Sequence, residues 1–272
     1  CKERLVLPLV IVAAGTDLWN VGKIDSKRPL RLEDNMRIIT SMTGTISESF
    51  FHLTATSMHV AFAKLLPSLV ELPYAMRNEN EYETAKILNK TKTFFDEIRT
   101  LFKRGKKRID KSEFYDTYRP LLVGYEKGMI LEGTNDMLIG NGPSGGQSSM
   151  FVMLDAVLGI VHQGHSRVFQ DDAYKAMSLP HRRFVRDFVN TIHHETGNVT
   201  DFMQRKIRGS ACNDAYRTCL ESYESFRKYH LGIATRYLSS TTKGTGNSTF
   251  RSLLKEFKMN TEKCRRNIYG SK

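Results

Sequence analysis

The sequence predicts an all-α fold built from many helices. Apolar and aromatic residues recur at helical spacing along most of the 272 residues, and no run of alternating β-branched residues interrupts them. The clearest helix runs from Asp214 to Leu238, which has no proline and no glycine before Gly232. An apolar stripe follows one face of this segment, at Tyr216, Leu220, Tyr223, Phe226, Ala234 and Tyr237.

The remaining helices are predicted from the same periodicity and from capping residues. Ser112 and Ser148 precede two of them as caps, and Pro180 occupies the first turn of another. No internal repeat divides the chain, so residues 1–272 are predicted as one helical domain. Flexible loops are predicted at about 102–111, 126–146 and 239–249. The other predicted helices are 5–20, 33–42, 81–102, 111–123 and 250–268, with apolar helices within 47–76, 150–161 and 181–192.

The composition is that of an ordinary soluble globular protein. Hydrophobic residues make up 40% of the chain and charged residues 26%. The first apolar run, Leu5 to Gly15, is too short to span a bilayer and lacks a signal-peptide cleavage pattern. The four cysteines show no metal-binding spacing, which favours free thiols in a reducing compartment. We therefore predict a cytoplasmic protein without a membrane span.

The chain is strongly basic, with a net charge of +12, which suggests an anionic partner or surface. Its densest cluster is KRGKKR, at residues 103–108. Such a cluster can bind nucleic acid or act as a nuclear address, but no aromatic platform or nucleic-acid-binding module accompanies it. A solvated loop between two helices is the simpler interpretation, and we do not predict a nucleic-acid partner.

Three polar residues fall where apolar side chains are expected. His230 and Arg227 lie one turn apart on the buried face of the 214–238 helix, and Asp155 lies inside an apolar helix. Because a buried polar group without a partner costs about 1–3 kcal/mol or more, each of them needs one. In one interpretation the histidine bonds to a carbonyl and the arginine pairs with a carboxylate. In the other, His230 is a metal or cofactor ligand, and both interpretations stay open at this point.

A glycine-rich segment precedes one of the apolar helices. Gly140, Gly142 and Gly145 form the pattern G-x-G-x-x-G, which binds dinucleotides when a strand precedes it and a βαβ unit surrounds it. The sequence around it predicts neither context, and Pro143 occupies the turn. The alternative is a backbone that passes close to a flat, bulky group, which Gly145 and Gly146 also allow.

A buried histidine, an arginine on the same face and a glycine-lined approach together suggest a flat dianionic cofactor such as haem. Seven separated motifs occur in the order LPLVIVAAGTDLWN, ESFFHLTAT, FYDTYRPLLVGY, SGGQSSMFVMLDAVLGI, LPHRRFV, SFRKYHLGIATRYL and KGTGNSTFRSLLKEF. In sequence, spacing and order they resemble the indoleamine 2,3-dioxygenase family. The resemblance covers nearly the whole chain, as the large catalytic domain of that family.

The resemblance implies haem b as the cofactor and assigns residues to it. His230 corresponds to the proximal iron ligand, which leaves the opposite face of the iron open for O2. Arg227 corresponds to the arginine that pairs with a haem propionate, and Asp155 to the carboxylate that orients the proximal side. Phe151 and Gly146 complete the implied haem-binding set.

On the other face of the haem, the resemblance implies three catalytic positions. Ser144 and Gly145 correspond to the distal loop, and Thr54 keeps a hydroxyl where the family has a distal serine. The implied reaction is oxidative opening of the indole 2,3 bond of L-tryptophan by O2, which gives N-formylkynurenine in tryptophan catabolism. In this reaction the protein supplies orientation, electrostatics and exclusion of water.

The resemblance also implies a site for a small-molecule substrate, tryptophan or another indoleamine. Phe114 would pack on the indole ring, Arg119 would bind the carboxylate, and Thr245 belongs to a loop that closes over the amino-acid end. The implied set is Phe50, Phe51, Phe114, Tyr115, Arg119 and Thr245, of which Tyr115 replaces a family phenylalanine.

The chain departs from the family pattern at its N-terminal side. The family has a smaller helical domain before the catalytic one, so we expect a missing N-terminal segment or a partner chain. Two alternatives to the enzyme follow, a haem and O2-binding protein without efficient turnover, like a myoglobin, and a haem-free structural subunit. The pocket positions of the first helix are Ala13, Thr16 and Asp17 in one register of the alignment, or Ile11, Ala14 and Gly15 in the other.

Overall fold

The computed structural model describes residues 11–32, 34–130, 132, 133, 135, 137–205, 210–237 and 250–270. Helices dominate this part of the chain, which confirms the all-α prediction. Within it the α-helices are α1 (Ile46–Arg77), α2 (Glu81–Lys106), α3 (Ser149–Leu158), α4 (Gly164–Lys175), α5 (Leu179–Asn190), α6 (Val199–Gln204), α7 (Ala211–Tyr237) and α8 (Phe250–Tyr269).

Short helical turns and two small antiparallel sheets connect the α-helices. Each sheet has two strands, β1 (Val21–Gly22) with β2 (Arg37–Ile38), and β3 (Tyr125–Ile130) with β4 (Met137–Gly140). The π-helical turns are Ala14–Leu18, Glu113–Tyr118 and Thr191–Thr196, and the 3-10 turns are Arg119–Leu122 and Gly145–Gln147.

The centre of the fold is the packing of α2 against α1 on one side and α7 on the other. Phe95 of α2 stacks on Tyr223 of α7, with 4.2 Å between the ring centroids. The apolar stripe predicted for α7 is confirmed, because all its members except Tyr237 are buried. Each large side chain buried in this way stabilises the fold by roughly 1.5–3 kcal/mol.

Helix α1 begins where its first turn is capped. The Thr45 hydroxyl accepts a hydrogen bond from the Glu48 N–H at 3.2 Å, and the Glu48 carboxylate reaches back to the Thr43 N–H at 2.7 Å. The helix then continues through Pro67 and Pro73. By length and composition α1 could cross a membrane, but half of its apolar stretch is buried inside the structure, where α1 packs against α2.

The helix predicted at 33–42 is wrong. Part of this segment is strand β2, which pairs with β1 in the register Val21 to Ile38. Asn35 explains the difference, because its side chain accepts a hydrogen bond from the Asp25 N–H and donates to the carbonyls of Asp25, Arg28 and Pro29. Such bonds give the backbone polar groups an alternative to the helical ladder.

The segment 126–146, predicted as a flexible loop, contains most of a hairpin that β3 and β4 form in its described residues. Met129 pairs with Leu138 and Ile130 with Met137, and a bulge lies between Tyr125 and Met129. Short hairpins of this kind have a weak signal where glycines interrupt the alternation of side chains.

Three other boundaries differ from the prediction. Helix α2 runs to Lys106, so the start of the predicted loop at 102–111 is helical, and basic side chains in a last turn are favoured by the helix dipole. The predicted helix at 111–123 is a π turn followed by a 3-10 turn, because Pro120 cannot continue an α-helical ladder. The helix predicted at 5–20 is the π turn Ala14–Leu18 in its described part, and the predicted loop at 239–249 lies outside the described residues.

Candidate functional site

A cavity of about 300 Å³ lies among α1, α3, α7 and α8, together with the turns at 14–18, 113–118 and 145–147. Most of the side chains that line it are apolar. The described lining contains three positively charged side chains, Lys106, Arg119 and Arg227, and two acidic side chains, Asp17 and Asp155. The cavity therefore suits a largely apolar ligand that carries negative charge.

The cavity brings together most of the residues predicted from the sequence. Phe50 and Tyr115 are not among the lining residues, and Thr245 lies outside the described part of the chain. The Phe50 ring instead contacts the Arg108 guanidinium, which lies 4.7 Å from the ring centroid. The predicted residues that do line the cavity are Phe51, Thr54, Phe114, Arg119, Ser144, Gly145, Gly146, Phe151, Asp155, Arg227 and His230.

His230 enters the cavity from the second half of α7. The Phe102 ring meets it edge-on at 5.2 Å between centroids, and the Phe226 ring stacks against it at 6.2 Å. Burial, with the positive charge of Arg227, lowers the pKa of His230 to about 4. The imidazole is therefore neutral near pH 7, which is the form that binds a metal ion.

Arg227 and Asp155 form a buried ion pair. Arg227 Nη2 lies 2.6 and 2.8 Å from the two carboxylate oxygens, and Arg227 Nη1 donates to the Phe257 carbonyl at 2.7 Å. Burial alone would raise the pKa of Asp155, but the Arg227 charge and hydrogen bonds from His162 and Tyr223 hold it below its ordinary value. The interpretation that Arg227 pairs with a carboxylate is confirmed, and a role towards haem stays a prediction.

The glycine-rich segment needs its glycines for two different close approaches. A Cβ on Gly146 would lie 2.3 Å from the Phe169 ring, and one on Gly142 would lie 1.9 Å from the Leu122 carbonyl. At Gly145 no atom lies within 4 Å of an added Cβ. The flat group close to this backbone is therefore the ring of Phe169, and Gly145 borders open space in the cavity.

Thr54 lies where α1 and α2 come closest. The Thr54 hydroxyl donates a hydrogen bond to the Phe50 carbonyl at 2.6 Å. A Cβ added at Gly105 would lie 1.8 Å from the oxygen of this hydroxyl. Gly105 belongs to the basic cluster KRGKKR, whose Lys106 lines the cavity. The first four residues of the cluster therefore belong to a helix and not to the loop that the sequence suggested, whereas Lys103, Arg104, Lys107 and Arg108 are exposed as expected for a solvated segment.

Phe114 and Arg119 come from consecutive turns after α2. The Phe114 ring lies 5.1 Å from the Phe51 ring and 6.1 Å from the Tyr237 ring, which places three aromatic side chains at one corner of the cavity. Arg119 is only 6% exposed, and burial lowers its pKa.

Two histidines of α1 also line the cavity, although the sequence reasoning identified no second pocket histidine. His52 lies between Asp17 and the Tyr118 hydroxyl, and His59 Nε2 lies 2.9 Å from the Ser148 hydroxyl. The available signal was their spacing, because residues seven apart return to the same face of a helix.

The structure also separates the two registers of the first helix. Ala13, Thr16 and Asp17 line the cavity, whereas Ile11, Ala14 and Gly15 are not among the lining residues. Asp17 is paired, since its carboxylate Oδ1 lies 2.6 Å from His52 Nδ1.

Fold and site together define an all-helical domain whose buried cavity holds a neutral histidine beside an internal arginine–carboxylate pair. The family model of indoleamine 2,3-dioxygenase matches residues 1–263. The chain belongs to the indoleamine 2,3-dioxygenase family.

Several curated proteins are similar to this chain. A 6-hydroxytryptophan 2,3-dioxygenase from Fusarium equiseti is 28% identical over 89% of this chain and 60% of its own length. Indoleamine 2,3-dioxygenase 1 from Mus musculus is 26% identical over 97% of this chain and 70% of its own length. A myoglobin from Haliotis madaka is 22% identical over 90% of this chain and 72% of its own length. The relatives of this chain therefore include proteins named as enzymes and proteins named as myoglobins. The chain spans less than two thirds of the length of the Fusarium equiseti protein.

Proposed function

We propose that this chain is the haem-binding catalytic domain of a dioxygenase that opens the indole 2,3 bond of L-tryptophan to give N-formylkynurenine. The observation that carries the proposal is the neutral His230 in a cavity that also contains Phe114 and Arg119. The relatives named as dioxygenases of indoleamines and of a hydroxytryptophan support the same substrate class.

The residues of the cavity fit haem. His230 would hold the iron through a neutral ring nitrogen, and Phe226 and Phe151, whose rings stack at 5.8 Å, would supply apolar surface for a flat macrocycle. Lys106 and Arg227 add positive charge near acidic side groups such as propionates. When bound, haem iron supplies the binding and activation of O2 that the side chains alone lack.

The chain itself would bind and orient the substrate. Arg119 matches a carboxylate through a bidentate ion pair, and its burial strengthens this pairing because water screens it little. Phe51 and Phe114 provide aromatic surface for an indole ring. The mostly apolar lining would limit water at the reacting centre, and its aromatic side chains would orient the indole.

The haem part of the proposal is tested by adding haemin to the purified protein and recording its absorption spectrum. We expect a Soret band for the wild type and a loss of stable haem binding in His230→Ala. His193→Ala, which removes an exposed histidine, is the control and should keep the band. Unchanged haem affinity in His230→Ala would refute the axial role of this residue.

The catalytic part is tested by measuring kynurenine formation from tryptophan under reducing conditions. We expect Arg119→Ala to raise KM by about 10- to 100-fold, because a charge-assisted hydrogen bond is lost, while haem affinity is unchanged. Arg119→Lys should restore little of it, since lysine cannot form the planar bidentate pair. Arg183→Ala, at an exposed position, is the matched control.

A second candidate function is O2 binding without turnover, which the similarity to Haliotis myoglobins favours. A Soret band together with reversible O2 binding and no kynurenine would establish this function instead. A protein with no Soret band would leave the haem-free structural subunit.

A further inference from the structure

A chain of three polar side chains ends in the cavity wall at Asp17. His52 Nδ1 lies 2.6 Å from Asp17 Oδ1, and His52 Nε2 is hydrogen-bonded to the Tyr118 hydroxyl. Asp17, His52 and Tyr118 are 7%, 1% and 0% exposed. Because buried polar groups need hydrogen-bond partners, the direction of these bonds decides which kind of group Asp17 can bind on the cavity side.

The Asp17 carboxylate fixes the direction of one of these bonds. A carboxylate oxygen only accepts hydrogen bonds, so His52 Nδ1 carries a proton and donates to Asp17 Oδ1. Burial, and then the nearby carboxylates of Glu48 and Asp17, raise the pKa of Tyr118 far above its ordinary value. The phenol therefore keeps its proton, and its hydroxyl is hydrogen-bonded to His52 Nε2 on the other side of the imidazole ring. The series Tyr118, His52 and Asp17 therefore ends at the cavity with a carboxylate, which is a hydrogen-bond acceptor.

One carboxylate oxygen of Asp17 is held in place and the other is available. The Thr16 hydroxyl lies 3.1 Å from Oδ1, and the Thr56 hydroxyl donates to the Asp17 carbonyl at 2.6 Å. Oδ2 has no hydrogen-bond partner among the residues that the structure describes, and Asp17 lines the cavity. A carboxylate oxygen that borders the cavity and only accepts hydrogen bonds is complementary to a ligand with an N–H or O–H donor.

The His52 ring that holds Asp17 lies at the aromatic corner of the cavity. The Phe51 ring lies 5.3 Å from the His52 ring, 5.9 Å from the Tyr118 ring and 5.1 Å from the Phe114 ring. A flat ligand that packs in this corner therefore lies beside the carboxylate. A flat aromatic ring with a donor on its edge matches both features, and the N–H of an indole is such a donor.

We propose that Asp17 Oδ2 accepts a hydrogen bond from the ring N–H of the indole substrate. This inference rests on the proposed function and deepens it, because it names a specificity-determining residue and a substrate class. The site takes indoles with a free ring N–H and discriminates against ring systems that lack this donor. Tyr118 and His52 act as positioning residues, since His52 holds the Asp17 side chain by a hydrogen bond and is itself hydrogen-bonded to Tyr118.

The test compares two ligands of the same shape by calorimetric titration of the haem-loaded protein. The ligands are L-tryptophan and the analogue with sulfur in place of the ring N–H. The wild type should bind tryptophan about 10- to 100-fold more tightly, as expected for a hydrogen bond to a charged acceptor. In Asp17→Asn the side-chain oxygen should accept the hydrogen bond from His52, and the amide NH2 group should face the ligand. The ratio of the dissociation constants of the two ligands should then fall to near 1. Asp172→Asn, at an exposed ion pair, should keep the wild-type ratio.

The ratio of the two dissociation constants separates recognition from a purely structural role. A destabilised fold would weaken both ligands together, whereas a lost hydrogen bond weakens only tryptophan. Equal affinities in the wild type would overturn this inference without any variant and leave the proposed function intact. An unchanged ratio in Asp17→Asn would overturn it as well. Absence of binding by both ligands would overturn this inference and the proposed function together.

Discussion

Replacing Asp155 by asparagine removes one charge from a fully enclosed ion pair. The carboxylate accepts hydrogen bonds from Arg227 at 2.6 and 2.8 Å, from Tyr223 at 2.8 Å and from His162 at 2.8 Å. Asparagine keeps the shape and one acceptor oxygen but leaves the Arg227 charge buried without a counter-ion. Breaking a buried pair on one side costs about 3–5 kcal/mol, and we expect that loss in the free energy of unfolding.

Urea unfolding of the haem-free protein, followed by circular dichroism, measures this loss. The midpoint should fall while the slope with denaturant stays constant, because the surface exposed on unfolding does not change. Asp171→Asn is the control, since its partner Arg167 lies at 3.1 Å on an exposed surface, where such a pair contributes about 0–1 kcal/mol. A loss below about 1 kcal/mol for Asp155→Asn would refute the reasoning, because a buried arginine would then tolerate the absence of its carboxylate.

Three further predictions concern close packing and pH. Gly146→Ala should destabilise the protein by about 1–3 kcal/mol, because the new Cβ would lie 2.3 Å from the Phe169 ring, and thermal unfolding measures the change. Gly105→Ala should also destabilise the protein, because the new Cβ would lie 1.8 Å from Thr54 Oγ1, although alanine normally favours a helix. Thr54→Ser should not relieve this loss, since serine keeps the same oxygen. Burial, as the largest cause, lowers the pKa of His59, so the unfolded chain binds a proton below about pH 6.5 that the folded protein does not. Stability should fall as the pH falls below that value, by up to about 1.4 kcal/mol per pH unit, and His59→Gln should remove this part of the slope.

The changes at Gly146 and His59 each have a control at a position of the same type. Gly145→Ala places its Cβ where no atom lies within 4 Å, so equal destabilisation at Gly145 and Gly146 would contradict the packing argument. His193→Gln removes an exposed histidine and should leave the pH profile unchanged. A profile for His59→Gln that matches the wild type would show that another group titrates in this range.

The sequence predicted the helices with strong periodicity and long apolar faces. The stripe on α7 and the cap at Ser148 appear as expected, and the described cysteines Cys219 and Cys264 are free thiols. Such features depend on neighbours along the chain, so a single sequence contains them. The strand at Arg37–Ile38 could not be predicted in this way, because it depends on bonds between a side chain and distant backbone groups.

The candidate site was predicted in part, and the limits have a physical cause. The family resemblance brought His230, Arg227 and Asp155 to one cavity, but it carried no information about residues that the family does not share. The pairing of Asp17 with His52 joins residues 35 positions apart. Neither residue is unusual by itself, and only the packing of the first turn on α1 shows that each satisfies the other.

The two sides of the cavity are built in different ways. His230 and Arg227 stand on α7, whose other residues form the core through contacts such as the stack of Tyr223 on Phe95. Asp17 and Phe114 stand on short turns outside the three central helices. Changes to these turns would therefore alter the wall of the cavity without altering α7, whereas changes beside His230 and Arg227 act on a helix that also forms the core. A cavity divided in this way can change its lining on one side while the helix on the other side stays the same.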